Sequence, residues 1–395
     1  MKKESNTYKL RPYQEDGVRA ALEFFKNGND LERPICVMPT GAGKSIVIAH
    51  ITNELKGGVL ILQPSKELLE QNYAKFKAYG GHACIYSASL KSKEIGRITF
   101  ATIGSIKNKA EEFSHVKYII IDECHLVPPN ISSMFVSFLT QLFNVKIIGL
   151  TATPFRLKTY RDPWSGMPFS QINLLTRERP RFFTSFLHIT QISELYEQKF
   201  LSPIKYIGLA WDAGKLRVNT TGAEYTEESI KQAIDAQEIV KKLPTIVKQS
   251  IEKGRKFRIV FVYSVMDAQI LALRTPDSAY VSADTPKKER EEILNDFKAG
   301  IIKTIYNVGI LTIGFDFPEL DTIIIARPTM SLALFMQMIG RGIRLHPKKE
   351  NCVVLDMCGN IERFSVFENI KYVKDYKGQW IIHDGIKQLS GVKLG

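Results

Sequence analysis

Gly41, Gly43, Lys44 and Ser45 are of the types and at the spacing that hold a phosphate. They lie in Met38-Pro39-Thr40-Gly41-Ala42-Gly43-Lys44-Ser45, after the apolar run Ile35-Cys36-Val37 and before Ile46-Val47-Ile48-Ala49, which can open a helix. Two glycines let the backbone curl until its N–H groups face an anion, and a helix N-terminus adds its partial positive charge. Lys44 can reach terminal phosphates and the Ser45 hydroxyl can hold Mg²⁺. Pro39, Thr40 and Ala42 complete the cradle. The pattern G-x-x-x-x-G-K-[ST] lacks its first glycine, where Met38 stands.

A second chemical pair is Asp122-Glu123, directly after the apolar residues Tyr118 to Ile121. A carboxylate at the end of a buried strand, combined with an upstream phosphate loop, suits Mg²⁺ binding through Asp122. Glu123 beside it can orient or deprotonate an attacking water. Near the N-terminus, Gln14 carries a donor and an acceptor that can read adenine bidentately. A solvated polar residue at a helix start, next to Pro12, is the other reading.

The elements that must position these groups follow from periodicity. Short apolar, β-branched runs at 58–62, 98–102, 118–122 and 146–150 alternate with helical stretches at 67–79 and 135–143. That alternation predicts a parallel sheet covered on both faces, with ligands at the carboxyl ends of the strands. Gly41–Ser45, Asp122-Glu123 and Thr151-Ala152-Thr153 fall at such ends. Strands return at 203–209, 258–263, 279–282, 304–308, 322–326 and 353–356, with a helix over 230–253 interrupted at Pro244. The expected architecture is α/β, with one parallel-sheet domain over 1–154 and another over 200–395. The last residues, from about 372, read as a short tail in which Trp380-Ile381-Ile382 forms a final strand.

Residues 155–199 break the alternation and read as an insert and interdomain linker. They carry Arg156, Lys158, Arg161, Arg177, Arg179 and Arg181 among Trp164, Phe169, Phe182 and Phe183. Pro154, Pro163, Pro168 and Pro180 argue against long regular elements there. Basic and aromatic residues together suit a surface that touches a nucleic-acid strand. Packing of the rings against a domain face is the alternative.

The 395 residues suffice for two domains of ordinary size, and 44% hydrophobic with 24% charged residues is ordinary for a globular chain. No apolar run is long enough to span a membrane, and Met1-Lys2-Lys3 has no apolar stretch behind it, so neither a membrane span nor a signal peptide is expected. Five scattered cysteines without a C-x-x-C pair predict a reducing compartment and no structural zinc. The net charge of +13 favours polyanionic partners. A basic surface without such a partner also accounts for it.

Taken in order, the motifs resemble those of superfamily 2 helicases and translocases, motors built from two RecA-like domains. Leu10-Arg11-Pro12-Tyr13-Gln14 is similar to the adenine-reading motif. Pro39–Ser45 resembles the family's Walker A loop, in which the first glycine is often absent. Gln63-Pro64-Ser65-Lys66-Glu67-Leu68 resembles motif Ia, with Ser65-Lys66 where many members have Thr-Arg. Ala101-Thr102-Ile103-Gly104-Ser105 resembles motif Ib, Asp122-Glu123-Cys124-His125 motif II in a DECH form, and Thr151-Ala152-Thr153-Pro154 motif III. Val260 to Ser264 resembles motif IV, Val308 to Pro318 motif V, and Gln337-Met338-Ile339-Gly340-Arg341-Gly342-Ile343-Arg344 motif VI.

The resemblance implies ATP and Mg²⁺ as cofactors, with ATP between two domains. Arg11, Tyr13, Gln14 and Pro39–Ser45 would bind the nucleotide from one domain, and Gly314 and Asp316 from the other. Lys44, Asp122 and Glu123 would act in hydrolysis. Arg341 and Arg344 would serve as arginine fingers one helical turn apart, worth roughly 10³–10⁵ in turnover in such enzymes. His125, Thr151, Thr153 and Gln337 would couple nucleotide to track, although small hydroxyl residues also cap strands and turns. Pro64, Lys66, Thr102, Gly104, Ser264 and Thr312 would hold nucleic-acid phosphates without reading sequence.

The DECH form, Gly314-Phe315-Asp316-Phe317-Pro318 and motif VI look most similar to the Rad25-related and phage UvsW-like group. That implies action on duplex or branched DNA, as in phage branch-migration helicases, with Arg177, Arg179 and Arg181 at the branch. It further implies a cytoplasmic monomer, in a bacterium or phage-infected host, working beside recombination or replication proteins. The alternatives are a restriction-system motor, an RNA helicase, and a clamp or switch that closes on duplex without unwinding it.

Overall fold

Buried β-branched runs form the strands of the first sheet: β1 (Ile35–Val37), β2 (Gly58–Gln63), β3 (Cys84–Ser87), β4 (Ser92–Lys93), β5 (Ile98–Thr102), β6 (Val116–Asp122) and β7 (Lys146–Thr151). Further along lie β8 (Phe155–Arg161), β9 (Pro168–Leu174) and β10 (Phe186–Ile189). The computed structural model describes residues 9–128, 130, 132–220, 224–311 and 315–393. Two units emerge, Met1–Arg156 with Asn173–Gln191 and Leu157–Ile172 with Ile192–Gly395.

The first unit's sheet has the order β10-β1-β7-β6-β2-β5-β3-β4. Its pairs are parallel except for the short edge strand β4, which runs antiparallel to β3. Every residue of β1 and β2 is buried, as expected of a sheet covered on both faces. Helix α1 (Pro12–Asn27) precedes β1, α2 (Lys44–Glu54) follows it, and α3 (Lys66–Ala78) follows β2. The register sets the site. Val37 opposes Thr151, Leu150 opposes Asp122, Ile121 opposes Leu62, and Gln63 opposes Thr102. The loops after β1, β7, β6, β2 and β5 therefore leave from one edge.

The region 155–199 is not a separate insert. Residues 173–191 return to the first unit, where β10 pairs in parallel with β1 through Ile35 opposite Phe186 and Val37 opposite Ile189. The run Phe186-Leu187-His188-Ile189 is short, but pairing with a fully buried neighbour is enough to hold it. Residues 157–172 go with the second unit as most of the β8–β9 pair. The prolines expected to forbid regular structure sit at its margins: Pro163 in the turn and Pro168 as the first residue of β9, where a missing donor costs little.

The second unit contains β11 (Ile204–Gly208), β12 (Arg258–Val262), β13 (Ser278–Val281), β14 (Thr304–Asn307), β15 (Thr322–Ala326) and β16 (Cys352–Asp356). Their order is β11-β16-β15-β12-β14-β13, all parallel. Ile230, Ile234, Leu243, Val247, Val260 and Ile324 meet in its core. The helix predicted over 230–253 is two helices, Glu227–Ala236 and Ile239–Glu252. They divide at Glu238, with φ 52°, while Pro244 lies inside the second. Pro244 removes one backbone bond, but Ile239, Leu243 and Val247 keep that helix's apolar face buried. The tail is a hairpin of β17 (Lys371–Lys374) and β18 (Trp380–His383), so the expected last strand has a partner. Among the described residues, no helix is long and apolar enough to cross a membrane.

Candidate nucleotide-binding site

The phosphate loop connects β1 to α2. Met38, at the position of the missing glycine, is fully buried, and its N–H donates to the Thr151 carbonyl at 2.9 Å. The side chain belongs to the core, and the curl is left to Gly41 and Gly43, both with φ 81°. Gly43 is required twice over. Its φ suits glycine, and a Cβ there would stand 2.5 Å from Gln14 Nε2. No side chain caps α2 at Gly43, so the first turn offers its backbone donors to an anion.

Helix α1 braces this loop. Tyr13 Oη donates to the Ala42 carbonyl at 3.0 Å, and Gln14 Nε2 donates to the same oxygen at 2.8 Å. The Arg11 N–H donates to Gln14 Oε1 at 2.9 Å, and an Arg11 Nη to Tyr13 Oη at 3.3 Å. Gln14 is 4% exposed. Both ends of its amide thus have backbone partners, so Gln14 is not the solvated helix-start residue of the other reading. One N–H and one oxygen lone pair of that amide are not used by these bonds.

Lys44 Nζ lies 3.1 Å from Glu123 Oε1. Glu123 Oε2 lies 3.3 Å from His125 Nδ1, which is 2.8 Å from Thr151 Oγ1. Thr151 Oγ1 also accepts from the Thr153 N–H at 3.1 Å. The structure thereby brings together three of the four predicted coupling residues. Glu123 adopts φ 46°, a left-handed conformation rare for a side-chain-bearing residue. Its N–H donates to Asp122 Oδ1 at 2.9 Å, so main chain and side chain are both tied down. Burial alone would push the Glu123 carboxyl up; Lys44 and His125 outweigh it and hold it well below the usual range.

Asp122 is 4% exposed, and burial, with the Glu123 charge, pushes its carboxyl up to about 6 against the pull of Lys44 and Asn72. A desolvated carboxylate short of compensating charge beside a phosphate loop fits a hard divalent cation. Ser45 Oγ and Asp122 would offer such an ion oxygen donors only, the donor chemistry that Mg²⁺ takes.

Asn72 and Glu178 escaped the sequence reading, and Arg156 entered it only as one base of the stretch 155–199. Asn72 of α3 donates to Asp122 Oδ2 at 2.7 Å. Arg156 Nε donates to the His125 carbonyl at 2.8 Å, and its Nη groups reach the Val127 carbonyl and, at 3.1 Å, Glu178 Oε2. Arg156 thus grips the turn after motif II instead of facing a partner. The available signal was Glu178, an acid set among Arg177, Arg179 and Arg181. Those three arginines are exposed.

Among the expected track residues of this unit, Pro64 follows β2, and Lys66 opens α3 behind its Ser65 cap, 3.7 Å from Glu70. Thr102 ends β5, its Oγ1 2.8 Å from Ser105 Oγ. Gly104 is exposed, and a Cβ built there meets nothing within 4 Å.

In the second unit, Ser264 caps the helix Val265–Arg274 by accepting from the Asp267 N–H at 3.3 Å. Thr312 and Gly314 lie outside the described residues. Gln337 is half-buried on the helix Leu332–Ile339. Arg341 and Arg344 are not one helical turn apart as expected, because that helix ends at Ile339. The turn after it runs flush against the sheet: a Cβ on Gly342 would lie 2.3 Å from Cys352 Sγ. An Arg341 Nη donates to the Phe315 carbonyl at 2.6 Å, and Arg344 pairs with the Asp316 carboxylate. Asp316 therefore faces an arginine of its own unit in this conformation. Lys349, also absent from the sequence reading, donates to the carbonyls of Gly342 at 2.9 Å and Leu320 at 3.1 Å.

The comparisons agree with this geometry. The type III restriction enzyme res-subunit family matches residues 7–156, and the helicase conserved C-terminal domain family matches residues 238–346. The chain belongs to the superfamily 2 helicases. This superfamily 2 chain is 29% identical over 87% of its length to a 51.5 kDa protein of a Lactococcus phage, covering 69% of that protein. It is 26% identical over 89% of its length to a Saccharomyces cerevisiae protein named as ATP-dependent helicase IRC3, covering 51% of it. It is 27% identical over 86% of its length to DNA 3'-5' translocase XPB2 of Sulfurisphaera tokodaii, covering 80% of it. The chain thus spans only about half the length of the yeast relative. A fragment of an HsdR subunit of a type I restriction enzyme from Vibrio vulnificus shares the fold at TM-score 0.67 and 21% identity, over 95% of this chain and 71% of that one.

Proposed function

We propose that this chain is an ATP-hydrolysing motor that couples turnover to movement on DNA and to remodelling of forks and junctions. The contact path Lys44–Glu123–His125–Thr151–Thr153 carries this reading. It joins the phosphate loop to the end of β7, so a change at the terminal phosphate reaches residues on the edge that offers Thr102 and Gly104. Gly104 supports a backbone contact there, since nothing in the protein itself demands a glycine.

Lys44 and Glu123 neutralise each other across 3.1 Å. Incoming phosphates compete for the Lys44 ammonium, which releases the Glu123 carboxylate to orient water. Mg²⁺ held by Ser45 and Asp122 neutralises phosphate charge when bound. Arg341 and Arg344, held within their own unit by the Phe315 carbonyl and by Asp316, keep the arginine-finger role that the family resemblance implies. Tyr13 and Gln14 keep the loop in shape, and the free edge of the Gln14 amide serves adenine.

The relatives named as an ATP-dependent helicase and a DNA 3'-5' translocase support a DNA motor. The exposed Arg177, Arg179 and Arg181 support branched DNA as the preferred form. The test is ATPase stimulation by single-stranded DNA, duplex, fork, four-way junction and RNA, with a salt titration. Stimulation greatest on forks or junctions is expected. Stimulation by RNA alone would overturn the reading.

A further inference from the structure

The β8–β9 hairpin belongs to the second unit over residues 157–172. Its turn places Trp164 in solvent, 97% exposed, with Met167 65% exposed beside it. The exposed indole offers a flat apolar face with a polar edge for a partner to cover.

The turn is held from within. The Asp162 N–H donates to the Met167 carbonyl at 2.9 Å, and Asp162 Oδ1 accepts from the N–H groups of Trp164 at 3.0 Å and Ser165 at 2.9 Å. Below it Tyr160 and Phe169 stack, with centroids 5.8 Å apart. The C-terminal tail then ties the hairpin to the body of the unit. Gly391 donates to the Ile172 carbonyl at 2.9 Å, while Leu389 donates to the Ile382 carbonyl of β18 at 2.8 Å. Lys393 lies 3.7 Å from Asp162 and 5.1 Å from the Phe169 ring centroid. The hairpin thus presents one large aromatic face on a braced stalk.

Its surroundings are mainly basic, with the Asp162 carboxylate paired to Lys393, and with Glu362 among the neighbouring bases. Arg161 is exposed at the turn, and Lys158 Nζ lies 5.7 Å from the Tyr160 centroid. Lys393 also lines a neighbouring pocket of about 400 Å³ with Arg363 and Lys387. An exposed aromatic on a hairpin whose stalk carries Arg161 and Lys158 and is flanked by Lys393 matches a nucleobase whose phosphates run along the stalk.

We propose that the β8–β9 hairpin is a DNA-contacting blade, with Trp164 stacking on the nucleobase exposed where two strands part and Arg161, Lys158 and Lys393 gripping the adjoining phosphates. This rests on the DNA-motor reading and adds a branch contact to it.

The experiment compares wild type, Trp164→Ala and Trp164→Phe on a forked duplex with 2-aminopurine at the branch. Thermal melts serve as the folding control, since Trp164 touches no core residue. Binding of wild type and Trp164→Phe should change the 2-aminopurine fluorescence, and binding of Trp164→Ala should not. Strand displaced per ATP hydrolysed should fall roughly tenfold or more in Trp164→Ala and recover in Trp164→Phe. A wild-type fluorescence change kept in Trp164→Ala, or an undiminished yield per ATP, would overturn the blade. If DNA fails to stimulate wild-type ATPase, the motor reading fails instead, and the fluorescence still decides the stacking.

Discussion

The Lys44 ammonium and the Glu123 carboxylate are 3.1 Å apart, so the two groups expected to handle phosphate and water form an ion pair with each other. They come from opposite sides of the site, one opening α2 and one following β6. Each therefore has a separable role. Lys44→Ala should abolish ATP turnover. Glu123→Gln keeps a side chain of the same shape and should retain ATP binding while slowing hydrolysis by at least about 10². Equilibrium binding of a fluorescent ATP analogue beside steady-state turnover checks both. A Gln variant that no longer binds ATP would make Glu123 a structural residue.

Arg156 and Glu178 form a mostly buried pair, 3.1 Å apart, that fastens the turn after motif II. Arg156→Ala strands the Glu178 carboxylate and frees two backbone carbonyls, and should cost about 3 kcal/mol. Urea unfolding of Arg156→Ala and of the double variant Arg156→Ala/Glu178→Ala measures this. The double variant should recover part of the loss, because no unpaired charge remains.

Lys349 gives a pH signature in the second unit. Burial pulls its ammonium down to about 8 from an ordinary 10.5. The folded chain therefore gives up this proton at lower pH than the unfolded chain. Below about 8 both states are charged and the burial cost is fully present; above 10.5 both are neutral and it is gone. Wild type should gain stability relative to Lys349→Met as pH rises through this window. Urea midpoints of the two proteins from pH 7.5 to 10 check it, and a gap that stays constant would contradict it.

Arg177, Arg179 and Arg181 are exposed and sit apart from the nucleotide loop in sequence. Replacing all three by Ala should weaken unwinding of a four-way junction more than ATP turnover without DNA, and should flatten the salt dependence of junction binding. Equal unwinding by variant and wild type would remove them from the branch contact.

Much of this was legible without coordinates because the fold and loop chemistry are local in sequence. The strands β6 and β7 end at Asp122 and Thr151, each read from an apolar run stopping at a polar residue, and β1 ends just before Met38-Pro39. Period and composition also announced two parallel sheets. What they could not announce depends on contacts between distant residues. The second role of Gln14 arises because α1 crosses the phosphate loop. Arg156 read as a surface base until Glu178 and the carbonyls of His125 and Val127 closed around it. β10 was misread as linker because four residues carry little periodicity, and only a buried neighbour makes them a strand. Motif VI named Arg341 and Arg344, but only the fold shows that the helix before them stops at Ile339 and leaves both outside it. Sequence alone determined which residues carry charge and hydroxyls at the strand ends. Tertiary structure alone decided which of those charges meet, because an ion pair depends on distances of a few ångström that no spacing along the chain encodes.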